Sequence, residues 1–378
     1  MVTMRAKDSV VSWFVRNIVL PKVERIDKPG FITITTTTGK ESVNIRELFM
    51  PEGLLAGLEN EISKKSKAGD LLLYSCGKRF GYAYSTLSDF PTVRGGRRQF
   101  LSFVYFLVRW VESTYAGNIS HSIDYENRVF RISMDNYVVC RQNGKGWLLG
   151  PGGIAGIWAY MACDDTVEAV QTKCQGRGDP RCEIVAAPYD SLAAEGLKPF
   201  RTGKMEPLKL DREYLETNQT RPTRWASHSL RSLIDSGFFK YSRGQVTFKS
   251  ERFFLCEASL MYVLEKELAK LSGGLKTLFD VSFGFGREIA RLSGSKDPAR
   301  FIGDLFPALG FGDILVEKRP WKVMVNCFPW TKWADDISFA MFRGMLSGVI
   351  TEMAGEKVIL KKTRKYRSGD GFSLVLGR

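Results

Sequence analysis

Two stretches of the chain, VEAVQTKCQGRGDPRCEIVA from Val167 and VILKKTRKYRSGDGFSLVLG from Val358, align without a gap. Val167 falls on Val358, Thr172 on Thr363, and the pair Gly178-Asp179 on Gly369-Asp370. The same offset carries Gly153 of GPGGIAGIWAYM onto Gly344 of FRGMLSGVITEM. Self-similarity on this scale means that one structural unit is used twice, which limits the possible folds more than any single motif does.

The correspondence continues upstream. GFITITTTTGKESVNIRELF (30–49) alternates along two strands around a Thr-Gly-Lys turn, and GFFKYSRGQVTFKSERFF (237–254) does so around Arg-Gly. Each predicted hairpin leads into an amphipathic helix, PEGLLAGLENEISKK or EASLMYVLEKELAKL, with apolar residues at helical spacing. An aromatic-glycine segment follows, LLLYSCGKRFGYAYSTL or TLFDVSFGFGREIARL, and a Trp-bearing helix, DSVVSWFVRNI or TRWASHSLRSLI, precedes each hairpin. The expected fold class is α+β, with two tandem copies of an antiparallel-sheet-plus-helices unit over 1–188 and 222–378 packed as an internal pseudo-dimer. The Pro-, Gly- and charge-rich stretch 189–221 reads as a linker.

A chain of 378 residues with 44% hydrophobic and 25% charged residues is globular and long enough to bury a core in each unit. Its formal charge of +14 favours contact with polyanions. Seven cysteines, an odd number, with no secretory signal point to a reducing, cytoplasmic setting. The best apolar run, FLSFVYFLVRWV, is shorter than a membrane span and contains Arg109.

The order hairpin, helix, Gly77-x-x-x-Gly81 segment, strands, glycine-led helix and terminal Cys174/Gly178-Asp179/Cys182 stretch resembles the 4-vinyl-reductase domain family of hydrocarbon-binding proteins over roughly 45–188. That fold is shared with sensory domains of aromatic-responsive bacterial regulators, with heme-linked nitric-oxide sensors and with subunits of the Golgi-tethering TRAPP complex. The resemblance implies an antiparallel sheet, helices packed on it and an apolar pocket for a small hydrophobic molecule. In phenol-sensing relatives it also implies zinc held by three cysteines and a glutamate three residues before the first of the terminal pair. Cys174 and Cys182 match that pair, and Gln171 stands at the glutamate position, where a neutral amide is a poorer ligand than a carboxylate. Cys140 or Cys163 could supply the third thiolate; Cys140 is taken with Cys174 and Cys182 as the candidate zinc set. The second copy has Lys365 and Ser373 at the cysteine positions.

Phe80, Tyr84, Trp110, Trp147 and Trp158 are the candidate pocket residues. Only two histidines occur, His121 and His228, neither beside a serine or cysteine in a nucleophile motif, so a non-enzymatic sensor or scaffold is expected. GKGWLLGPGGIAG (144–156) lacks the phosphate-loop and dinucleotide patterns, and its small residues are read as letting backbones approach closely. The rival function is nucleic-acid or ribosome binding through Lys361, Lys362, Arg364, Lys365 and Arg367, with Tyr366 interleaved. Arg94, Arg97, Arg98, Lys64, Lys65 and Lys67 add further positive charge. A homodimer is a further expectation, and reductase activity ranks third, behind the binding and nucleic-acid readings.

Overall fold

The computed structural model describes residues 22–38, 41–65, 67–140, 144, 146–205, 223–242, 245–329, 337–365 and 371–377. The first half opens with an antiparallel meander, β1 (Lys22–Lys28), β2 (Phe31–Thr38) and β3 (Glu41–Pro51). Its β-branched run suits a pleated strand, and Gly30, at φ +81°, makes the turn into β2. Pro51, at φ −73°, hands the chain to α1 (Glu52–Ser63), followed by α2 (Lys67–Leu87) and α3 (Arg97–Thr114). Next come β4 (Gly117–Asp124), β5 (Val129–Asp135), α4 (Leu149–Ala162), β6 (Val167–Lys173), β7 (Cys182–Pro188) and the short α5 (Tyr189–Ala194).

The second half repeats this order: α6 (Leu230–Asp235), β8 (Lys240–Ser242), β9 (Gln245–Phe248), β10 (Glu251–Glu257), α7 (Ser259–Leu268), α8 (Gly274–Ser293) and α9 (Pro298–Ala308). It closes with β11 (Asp313–Lys318), β12 (Trp321–Asn326), α10 (Ala340–Ala354), β13 (Leu360–Lys365) and β14 (Gly371–Leu376). The protein is thus α+β with repeated sheet units. Each half forms a four-stranded antiparallel sheet of the same order, β4-β5-β7-β6 and β11-β12-β14-β13.

A third sheet, β1-β2-β3-β10-β9-β8, joins the halves, with β3 and β10 paired antiparallel from Glu47 opposite Glu257 to Pro51 opposite Phe253. Two buried arginines lock this junction reciprocally. Arg46 of β3 donates to the carbonyls of Gly310 (2.9 Å) and Cys327 (3.2 Å) in the second half. Arg252 of β10 donates to Asn136 O (3.0 Å) in the first. Asn136 and Cys327 hold matching left-handed conformations, φ 53° and 55°, just after the second strand of their sheets. One hydrophobic core runs through both halves.

Several local expectations change. The aromatic-glycine segments are long helices, α2 and α8, because tertiary packing rather than propensity sets their conformation. The second hairpin is a three-stranded meander, since Lys249, at φ 53°, turns the chain again between β9 and β10. Trp225 and His228 precede α6 instead of lying on a helix; the Asp313 carboxylate holds the N–H groups of Arg224, Trp225 and Ala226 at 2.7–3.0 Å. DSVVSWFVRNI and the turn at Gly369-Asp370 lie outside the described residues.

The glycines do bring helices together. A methyl group at Gly152 or Gly156 would overlap the carbonyl of Tyr74 or Lys78 on α2, and one at Gly77 or Gly81 would overlap Leu149 or Gly153 on α4. Gly344 and Gly348 make the same approach to Phe279 and Phe283 on α8. Gly152, not Gly153, is therefore the counterpart of Gly344, and the segment between helix and strand is one residue shorter in the second half. Gly156→Ala is expected to cost about 1–3 kcal/mol or more by overpacking. Gly153→Ala, whose methyl would meet only Gly77 O at 3.9 Å, should be neutral or stabilising. Urea midpoints of the two variants distinguish them; equal midpoints would refute the close-approach account.

The junction also carries a pH dependence. Burial pushes the carboxyls of Glu251 and Glu257 up from 4.5 to about 7; Glu251 accepts from Gly53 N at 2.7 Å and Glu257 from the Ser259 hydroxyl. With folded values above unfolded ones, their contribution is fully present below 4.5 and lost as pH rises through about 7. Stability should fall across that window, and Glu257→Gln should flatten the fall measured by denaturant titration at several pH values.

Candidate metal centre and adjoining cavity

Three chain segments bring three thiols together. Cys174 directly follows β6 and caps a single turn of 3₁₀ helix (Gln175–Arg177), and Cys182 opens β7. Asp179 fixes this turn, its Oδ2 accepting from Cys174 N at 2.7 Å while Cys174 O accepts from Arg177 N (2.9 Å) and Asp179 N (3.2 Å). Gly178, at φ 94°, completes it, which explains why the Gly-Asp pair is the repeated element.

Cys140 arrives from the loop after β5. Val139, at φ 70°, donates its N–H to Glu52 Oε1 at 2.7 Å, and Gly176 has no room for a methyl beneath Cys140 O. The Sγ atoms of Cys140, Cys174 and Cys182 all lie within 4.8 Å of one another, and all three residues are fully buried. All seven cysteines are free thiols, and Cys163, in a left-handed cap at the end of α4, is not part of the trio.

The trio is electrostatically uneven. The hydrogen bond from Cys140, with the backbone N–H groups of Gly176 and Arg177 and the Arg177 charge, holds the Cys174 thiol down at about 6. Cys182 is lowered chiefly by the same donor, Cys140, and also by Gln175 N, which lies 3.4 Å from its sulfur. Cys140, donating to both, is pushed up. Gln171 closes the fourth side: its Nε2 lies 3.2 Å from Cys140 Sγ and its Oε1 accepts from Trp147 N at 2.9 Å. Converging thiolates with N–H donors suit a soft or borderline cation, so this buried cluster could hold a metal ion. In the second half Ser373, which faces Met324 as Cys182 faces Met134, bonds Thr363 Oγ1 at 2.8 Å and leaves no thiol there.

Beside the cluster lies a cavity of 340 Å³ between α1, α2, the start of α4, β6 and the segment around Phe200. Gln171 and Arg177 border both sites. Phe200 packs on Tyr74 with ring centroids 5.0 Å apart. Tyr74 donates to Glu168 Oε2 and accepts from Ala169 N, both at 2.8 Å. Behind them the fully buried Lys78 contacts Glu168 Oε1 at 2.9 Å and Thr202 Oγ1 at 2.7 Å, while Thr202 N donates to Glu168 Oε1 at 2.9 Å. The segment that reads as linker is therefore pinned over the cavity.

Of the five expected pocket residues, Trp147 lines this cavity and the other four do not. Trp158 fills the core, stacked on Phe130 at 5.1 Å and bonded through Nε1 to Arg128 O at 2.7 Å. Phe80 packs on Tyr84 at 6.1 Å, and Trp110 packs on Phe106 at 6.4 Å. Tyr74, Asp70, Lys198 and Phe200 carried no recognisable signal, and Phe200 was hidden in the linker. In the basic stretch Lys361 is exposed, but Lys362 Nζ donates to Ile337 O at 2.7 Å and sits 4.9 Å above the Phe339 ring. The side chains of Arg364 and Lys365, and Arg367 itself, lie outside the described residues. Among the described residues no helix is long and apolar enough to cross a membrane.

No family model matches the chain. No curated protein matches it either. Among solved structures it is similar to the phenol-responsive sensory domain of the transcription activator PoxR with phenol, at 16% identity and a TM-score of 0.31, covering 53% of this chain and 100% of that one.

Proposed function

We propose that the chain is a non-enzymatic, cytoplasmic binding protein for a small, largely apolar molecule, acting as a sensor or scaffold and built from two 4-vinyl-reductase-like units joined by 189–221. The observation that carries this function is the 340 Å³ cavity, walled by Tyr74, Trp147, Pro151 and Phe200 together with polar side chains such as Glu59, Asp70, Gln171 and Lys198, a size suited to a one- or two-ring ligand. Phe200 and Thr202 tie the cavity to the segment that follows the first unit.

Cys140, Cys174 and Cys182 would hold zinc, with the Gln171 carboxamide on the fourth side. When bound, zinc supplies a structural cross-link between the loop after β5 and the β6–β7 turn. Gln171 and Arg177 pass any displacement there to the cavity wall. Native mass spectrometry should find an organic mass retained by the purified chain. A clean apo mass, together with no thermal shift from a panel of one- and two-ring aromatics, would remove this function.

A further inference from the structure

Several polar groups in the cavity wall already have partners. Glu59 accepts from Leu148 N at 3.1 Å and Leu149 N at 2.8 Å. The Tyr74 hydroxyl is shared between Glu168 and Ala169 N, and Gln171 between Trp147 N and Cys140 Sγ. Two charged wall residues do not have such partners. Asp70 Oδ1 is buried with no donor. Lys198, at the mouth, makes no hydrogen bond or ion pair among the described residues. The indole N–H of Trp147, a residue only 6% exposed, also lacks an acceptor.

A buried acceptor without a donor is costly, and a bound molecule that supplies the donor removes the cost. Lys198, exposed at the mouth, offers an ammonium to an anionic group, and the faces of Tyr74 and Phe200 offer a surface for a ring. A neutral hydrocarbon satisfies the last demand alone. We propose that the cavity takes an amphoteric aromatic molecule, of the chemical class of an aromatic amino acid, with its ammonium on Asp70, its carboxylate on Lys198 and its ring against Tyr74 and Phe200. This rests on the small-molecule function of the same cavity.

The test is calorimetric titration of the full chain with L-phenylalanine, phenethylamine, 3-phenylpropionate and ethylbenzene, a series that removes one polar group at a time. L-Phenylalanine should bind about tenfold tighter than either single-handled analogue, a factor typical of one charge-assisted hydrogen bond. Asp70→Asn should weaken L-phenylalanine and phenethylamine by about tenfold and leave 3-phenylpropionate unchanged, whereas Lys198→Gln should do the converse. Ethylbenzene binding as tightly as L-phenylalanine on the unmodified chain would overturn the amphoteric ligand and leave the small-molecule function standing. If none of the four bound, the amphoteric ligand would fall, and a clean apo mass beside that result would take the small-molecule function with it.

Discussion

Lys78→Met is expected to destabilise the protein by about 3–5 kcal/mol, the cost of leaving one member of a buried ion pair without its partner. Lys78 is 0% exposed and Glu168 2% exposed, so neither charge can be rescued by solvent. Burial already lowers the Lys78 pKa against the pull of Glu168, which means that the pair is held together by the fold more than it drives the fold. Without Lys78 the Glu168 carboxylate keeps Tyr74 and Thr202 as donors but loses its only countercharge among the contacts described. Denaturant titrations of the parent, Lys78→Met and the double variant Lys78→Met, Glu168→Gln measure this: removing the stranded carboxylate should recover part of the loss, and a double variant no more stable than Lys78→Met would mean that Lys78 contributes packing only. Thr202 belongs to the same network, so the variant should also loosen the segment over the cavity, seen as faster amide exchange around Phe200 and Thr202.

The parts of this fold that can be read from sequence are those encoded by local pattern. Alternating Ile and Thr in β2, the helical spacing of α1 and α7, and the glycines of α4 each reflect one element meeting one neighbour. The repeat adds topology, since two units of one pattern imply two sheets of one order. What escapes is the information carried between distant residues. Arg46 and Arg252 look like surface positions on half-polar strands until β3 meets β10 and places each guanidinium against a carbonyl of the other half. Lys78 and Arg79 are equally polar in sequence. The first is entombed beside Glu168, while the second reaches Glu267 on α7 at 2.6 Å, and only the helix face decides between them. Gly152 was displaced by one position because a gap-free alignment cannot place a deletion in a loop. Phe200 lay in a stretch whose composition signals a linker, and composition does not record that a single aromatic docks on Tyr74.

The purified chain is expected to carry about one zinc ion, and the double variant Cys174→Ser, Cys182→Ser essentially none. The spacing of Cys174 and Cys182 across a Gly-Asp turn marks two ligands; Cys140, distant in sequence, joins only because Gly176 lets its loop settle on that turn. Cys174, held down near 6, and Cys182, also lowered, are ready as thiolates, so a cation has only the proton of Cys140 to displace. Because one core spans both halves, the apo protein should remain folded, unlike a zinc finger, and the metal adds stability by mass action. At free zinc a thousandfold above its Kd that addition is about 4 kcal/mol, and the double variant should lose it while no longer responding to a chelator. Cys163→Ser, outside the trio, is the control and should keep both the metal and the stability. Gln171→Glu, which places a carboxylate where the amide now touches Cys140, should tighten zinc binding. Metal analysis by mass spectrometry beside thermal melts reads all three variants. Equal zinc in the parent and the double variant would exclude this site, and the cluster would then be three buried thiols whose hydrogen bonds do no more than close a turn.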